Sequence, residues 1–241
     1  DPLIENKVSK DRKKGRISMP KISPSGEYIA WVVNDMGQYR ITLYDVKTKK
    51  TKKIIKKEYK LDQITDYSFP LIAWHPSGKI LSYIIERKGK ILLNLYNLET
   101  KKTEVIQMFN FEKILDFSYS DDGLKLVMSA YNKGYSDIYI HNLAAHTNKQ
   151  ITNDFADDLN PRFINNSEDI IFSSNRNKSQ INSKLGVDIE LNTSHDIFIY
   201  NVKSNNKELT RLTKTPYIDE TNPFSIKENI YSFLSNQNGI I

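Results

Sequence analysis

Cysteine is absent from the 241 residues, which removes disulfide frameworks, thiolate nucleophiles and thiolate metal sites at once. No apolar run approaches the ~18 residues that span a bilayer as a helix. Histidine is scarce, with four in the chain, and tryptophan scarcer, with two. The four histidines are His75, His141, His146 and His195, and they do not cluster as zinc ligands would, two at helical spacing with a third nearby. There is no Gly-x-Ser-x-Gly stretch to hold a hydrolase serine on a strained turn. The chain opens "DPLIENKVSKDRKKGR" without an initiator Met or a signal pattern, so it reads as a processed chain or a fragment. These lacks leave no candidate catalytic residue, no zinc site and no cofactor motif.

Charge is present in excess, with a formal net charge of +6. The basic residues are concentrated in "KDRKKGR" (Lys10 to Arg16) and "KTKKTKKIIKKEYK" (Lys47 to Lys60). Aromatic residues do not interleave with these lysines as a stacking platform for nucleic acid would require. They read as an arm and a solvated outer strand, where lysine also blocks edge-to-edge pairing. Nucleic acid is therefore not the expected partner.

What the chain does have is repetition. "ISPSGEYIAWV", "AWHPSGKILSYI" and "SYSDDGLKLVMS" each place a polar turn with glycine before an apolar strand. A degenerate fourth copy centres on Asn165-Asn166-Ser167. A second anchor follows in each unit: "LYDV", "LYNL", "IHNL" and "IYNV". Gly26, Gly78 and Gly123 are spaced by 52 and 45 residues, and so are Tyr44, Tyr96 and His141. Two anchors that shift in step mark a true repeat. In the slot of Tyr44, Tyr96 and Tyr200, His141 reads as a packing residue. Trp31 and Trp74, either side of equivalent turns, also fit packing.

Alternating apolar residues between turn signals give about four strands per unit and no helix between units. Four strands repeated at about 45 residues are the signature of a β-propeller blade. The expected fold class is all-β, a propeller of about four and a half blades. The expected divisions are an arm at 1–18 and blades at about 19–60, 61–110, 111–155 and 156–215, with a partial blade at 216–241. The fourth unit carries an inserted polar loop at 178–194, in which His195 is also placed. A half-blade cannot close a ring, so the native chain is expected to continue.

The quoted turns, with "IIFSSNRN" before "DIFIYNV" and "LTRLTKTPYIDETNPF" before the last strands, resemble the TolB-type propeller repeat from about Pro20 onward. "SNR" is missing from the first three units. The lysine- and asparagine-rich wording resembles large TolB-like proteins of Bacteroidetes-type bacteria. The resemblance implies a periplasmic or outer-membrane-associated location, a lipid anchor outside this chain, and non-enzymatic protein–protein scaffolding, as in secretion or envelope maintenance. In TolB the propeller works through lipoproteins and peptides at the channel mouth. The same repeat forms the gate of prolyl oligopeptidase-type serine peptidases, whose catalytic domain would lie outside this chain; "ISPSGEYIAWV" echoes their opening.

In a propeller, the connectors entering the inner strands line one mouth. Here they precede Pro20, Pro70, Pro161 and Pro223. Asp158, Asn160, Arg162, Glu220 and Asn222 are the candidate partner-binding residues. Asn160 and Asn222 also suit Asx-type turns. Arg162 and Glu220 are the better candidates, because a buried unpaired charge is costly. "NDFADDLN" (Asn153 to Asn160) is read as a blade connector, with calcium the lesser alternative because an EF-hand glycine and spacing are missing.

Overall fold

The structure, a computed structural model, describes residues 16–35, 38–56, 70–177, 191–203 and 209–239. The arm before residue 16, the lysines from 57 to 60 and the inserted segment 178–190 lie outside the described residues. All regular structure described is β, in antiparallel sheets with their strands in chain order. Two compact units divide the chain between Gln107 and Met108.

The first unit holds two blades. Blade one comprises β1 (Arg16–Ile17), β2 (Lys21–Ile22), β3 (Tyr28–Asp35), β4 (Gln38–Asp45) and β5 (Lys50–Lys56). Both β1 and β2 pair with β3, so sheet pairing begins at Arg16, inside the segment 1–18 expected to be an arm. Pro20, which has no N–H to give a ladder, falls between them. Ser18 bridges the gap: its N–H donates to the Val32 carbonyl at 2.9 Å and its Oγ accepts from the Val32 N–H at 3.0 Å.

Blade two comprises β6 (Leu71–Trp74), β7 (Ile80–Arg87), β8 (Lys90–Asn97) and β9 (Thr103–Met108). Alternation along β3 sends Ala30 and Val32 to a core shared with Leu81 and Tyr83, and Trp31 and Val33 to the opposite face. Each fully buried apolar side chain of this kind contributes roughly 1.5–3 kcal/mol. Trp74 stacks on Tyr28 and donates its Nε1–H to the Lys21 carbonyl at 2.9 Å. Lys50, Lys52 and Lys53 are exposed along β5, the outer edge of blade one.

The second unit holds blade three, with β10 (Lys113–Tyr119), β11 (Lys125–Asn132), β12 (Tyr135–Asn142) and β13 (Thr147–Gln150), and blade four, with β14 (Asp158–Phe163), β15 (Ile170–Arg176), β16 (Leu191–Tyr200) and β17 (Leu209–Arg211). A hairpin, β18 (Glu220–Lys227) and β19 (Ile230–Ser235), completes it. Val127 and Ile138 of blade three pack with Ile170, Phe172 and Phe198 of blade four. On the other side of blade four, Ile164, Ile171 and Ile197 receive Tyr231 of the hairpin. Strand β16 takes in Leu191–Ser194, which the sequence reading placed in the inserted loop, and Leu191 pairs with Arg176. His195 likewise sits in this strand. Polar residues along this stretch hide the strand from a reading based on apolar alternation.

The repeat is visible in the pairing. Tyr44 faces Ile29, Tyr96 faces Leu81, His141 faces Leu126 and Tyr200 faces Ile170. Gly26, Gly78 and Gly123 take positive φ (72°, 70° and 73°), and each N–H closes on the carbonyl three residues back. In the fourth unit Ser167 closes the same bond, and Asn166 supplies the positive φ, 59°. Asn tolerates this conformation better than most side chains.

His141, 2% exposed, shares a hydrogen bond of 2.7 Å between its Nδ1 and Asn148 Oδ1, and its Nε2 is buried without a partner among the described residues. Burial holds its imidazole below the ordinary histidine value. The unfolded chain therefore binds this proton first as pH falls. The stability tied to neutral His141 is complete above about pH 6.5 and is lost progressively below it. His141→Tyr, which restores the side chain of the other three units, is expected to flatten the fall of the denaturation midpoint between pH 7 and pH 5. An unchanged pH profile in that variant refutes the assignment.

Candidate functional site

In the second unit, the two connectors that follow blades three and four are each built around one aspartate on the third strand. Asp137 on β12 accepts from Thr152 Oγ1 and from the Asp154 N–H, both at 3.4 Å. Asp196 on β16 accepts from Thr213 Oγ1 at 3.5 Å and from the Thr215 N–H at 3.1 Å. In return Thr152 Oγ1 accepts from the Ile138 N–H and Thr213 Oγ1 from the Ile197 N–H, both at 2.9 Å. Each aspartate thus satisfies donors of a connector that leaves the fourth strand with no ladder to join. Asp196 is also ion-paired to Arg211, where Asp137 accepts from Gln150.

Past this point the connector turns into the next inner strand and meets Arg176. The guanidinium donates from Nη1 to Asp154 Oδ2 at 2.9 Å and from Nη2 to both oxygens of Asp158, at 2.7 and 2.6 Å. It lies over the rings of Phe172 and Phe198, 5.8 and 5.9 Å from their centroids. Arg176 and Asp158 are both buried, Asp158 completely. Burial pushes the Asp158 carboxyl above its ordinary value, against the pull of Arg176, and the nearby Asp154 charge adds to the rise. Carboxylate oxygens of Asp137, Asp154 and Asp158 lie within 4.8 Å of one another, a spacing a cation could use. Arg176 already serves Asp154 and Asp158, and Gln150 and Thr152 serve Asp137.

The five sequence candidates fall on two strands. Asp158, Asn160 and Arg162 belong to β14, and Glu220 and Asn222 to β18. Asn160 and Asn222, each followed by proline, take φ of 51° and 52°. Each sits where register jumps, between Leu159 and Arg162 and between Thr221 and Phe224. These are β-bulges that bend the start of the inner strand. Arg162 is ion-paired with Asp116 at 2.7 Å and donates to the Pro161 carbonyl. Glu220 is buried and accepts at Oε1 from Thr215 Oγ1 at 2.9 Å. The contacts described join neither Arg162 nor Asn160 to Glu220 or Asn222.

Residues 59–184, just over half of the chain, match the TolB beta propeller domain. The chain belongs to the TolB β-propeller family. TolB from Acinetobacter baumannii shares its fold with a TM-score of 0.61 at 18% identity, over 87% of this chain and 46% of that one. A protein assigned as TolB from Agrobacterium tumefaciens follows at 0.59 and 15%, over 83% and 67%. The β-propeller domain of the Trilobed protease from Pyrococcus furiosus follows at 0.52 and 13%, over 92% and 78%. The chain thus spans less than half of the Acinetobacter TolB. No curated protein sequence matches it.

Within the TolB repeat, "SNR" and "DIF" acquire physical roles. Arg176 is the "SNR" arginine, and Asp137 and Asp196 are the aspartates of "DIY" and "DIF". Arg176 and Asp137 bind the connector that enters blade four, and Asp196 binds the one that leaves it. Arg176→Ala is expected to cost about 3–5 kcal/mol, because it strands buried carboxylates. The loss is read from the urea midpoint. Arg176→Met combined with Asp154→Asn and Asp158→Asn is expected to recover part of it. A single variant as stable as the parent refutes the clamp.

Proposed function

We propose that this chain is a non-enzymatic protein–protein interaction scaffold of the bacterial cell envelope, periplasmic or associated with the outer membrane, in a secretion or envelope-maintenance complex. Membership of the TolB β-propeller family carries this reading. The polar groups of the connectors in the second unit tie each blade to the next, which suits a frame that presents loops. No described helix is long and apolar enough to cross a membrane. The proposed contact set is Asp158, Asn160, Arg162, Glu220 and Asn222, of which Asn222 is exposed and Arg162 partly so, while the buried Asp158 and Glu220 would act by shaping the strand starts. Partners are envelope proteins or peptides, with neither nucleic acid nor cofactor required.

The likeness to the Trilobed protease propeller favours a second reading, the gate of a prolyl oligopeptidase-type peptidase whose catalytic domain lies elsewhere. One experiment separates the two. The native polypeptide is purified after cross-linking in cells and treated with a fluorophosphonate serine probe. The scaffold reading expects no labelling and a defined set of envelope proteins whose yield falls about tenfold with Arg162→Ala. Labelling together with cleavage of a prolyl peptide establishes the gate instead.

A further inference from the structure

The repeat allows the same surface positions to be compared from blade to blade. The turn between the third and fourth strands is closed in the same way in blades one, two and three. Asp45 Oδ1 accepts from the Thr48 N–H at 2.8 Å, Asn97 Oδ1 from the Thr100 N–H at 2.9 Å, and Asn142 Oδ1 from the Ala145 N–H at 2.9 Å. Lys49, Lys101 and His146 come next, with φ of 57°, 60° and 53°. The fourth strand then pairs in one register, Thr51 with Tyr44 in blade one and Asn148 with His141 in blade three.

On this common backbone the side chains differ in charge. Blade one carries Lys47, Lys49, Lys50, Lys52 and Lys53, all exposed. At the same positions blade two carries Glu99, Lys101, Lys102, Glu104 and Val105, with Glu99 ion-paired to Lys79. Blade three carries Ala144, His146, Thr147, Lys149 and Gln150. Two outer strands thus stand in the same fold without the lysines, so neither the turn nor the protection of an edge requires them. From residue 45 to residue 53, Asp45 is the only acid, and no arginine is present.

The choice of lysine narrows the partner. Arginine grips a single carboxylate or phosphate with a flat fork, whereas lysine is a hydrated point charge on a flexible stem. A row of lysines suits a diffuse anionic surface, and lysine along β5 works against an acidic strand adding to its edge. Lys52 is tied to blade two, where its Nζ donates to Tyr96 Oη at 2.9 Å and lies 5.6 Å from the ring centroid. We propose that the β4–β5 turn and the start of β5, through Lys47, Lys50 and Lys53 above all, form a docking surface for a bilayer rich in anionic phospholipid. That a bilayer lies within reach rests on the envelope reading; the charge of the surface does not.

The test uses the native polypeptide and vesicles of phosphatidylcholine with or without phosphatidylglycerol, sedimented at low and at high salt. Binding is expected with phosphatidylglycerol alone and is expected to fall at high salt. Lys47→Gln, Lys50→Gln and Lys53→Gln together are expected to weaken it about tenfold or more. Lys101→Gln with Lys102→Gln, at equivalent positions of blade two, is expected to leave it nearly unchanged. Lys47→Arg, Lys50→Arg and Lys53→Arg keep the charge and are expected to keep the binding. Tm is read for every variant, so that lost binding is told from lost fold. No sedimentation with phosphatidylglycerol, equal loss in the blade-two variant, or capture of an acidic protein through these lysines while vesicles are ignored overturns the proposal. Because the vesicles are supplied, their failure to bind leaves the envelope reading standing. Vesicle binding together with cross-linked partners from outside the envelope removes that reading and leaves the surface intact.

Discussion

A buried guanidinium must find its counter-charges close by, and Arg176 finds them on a connector and on the strand that follows it. Asp154 lies in the connector and Asp158 opens β14, so one side chain fixes where the chain leaves one blade and where it enters the next. Apolar packing between blades three and four tolerates small slides. The ion pair does not, because moving β14 by one residue would turn Asp158 to the opposite face. The aspartates of the third strands complete the constraint from the other end. Between Asp137 and Arg176, the Thr152 hydroxyl and the N–H groups of Asp154 and Asp157 find partners on the flanking strands, and the Ala156 N–H donates to Asp154 within the connector.

The architecture was legible because it is periodic. Turns, strand alternation and the tyrosine slot repeat in step, and the observed pairing places all four slot residues opposite equivalent partners. Three things were not legible. The start of β16 is polar and lies behind a long insertion, so nothing in its pattern marks Leu191–Ser194 as strand. Arg162 meets Asp116, a residue of the preceding blade that no local spacing connects to it. The pairing of Arg176 with Asp158 depends on the connector folding back beside β15, a tertiary fact.

The candidate residues divide along the same line. Asn160 and Asn222 were readable as turn formers from the Asn-Pro pairs alone, and positive φ at both agrees with that local reading. Asp158 and Glu220 look alike in sequence, each an acid two residues before such a pair. Their surroundings differ: Arg176 donates to Asp158, and Thr215 to Glu220. Sequence shows the two acids, but only the hydrogen bonds show what each one meets.

The clamps reach no further than the adjoining blade, and that locality has a hereditary consequence. A blade answers only to its neighbours, so substitutions elsewhere in the chain need no compensation within it. Pairs of positions, not the whole sequence, are what must be passed on together. A fold assembled from such short-range agreements keeps its shape in solved propellers that share only 18% or 13% of their residues with this chain.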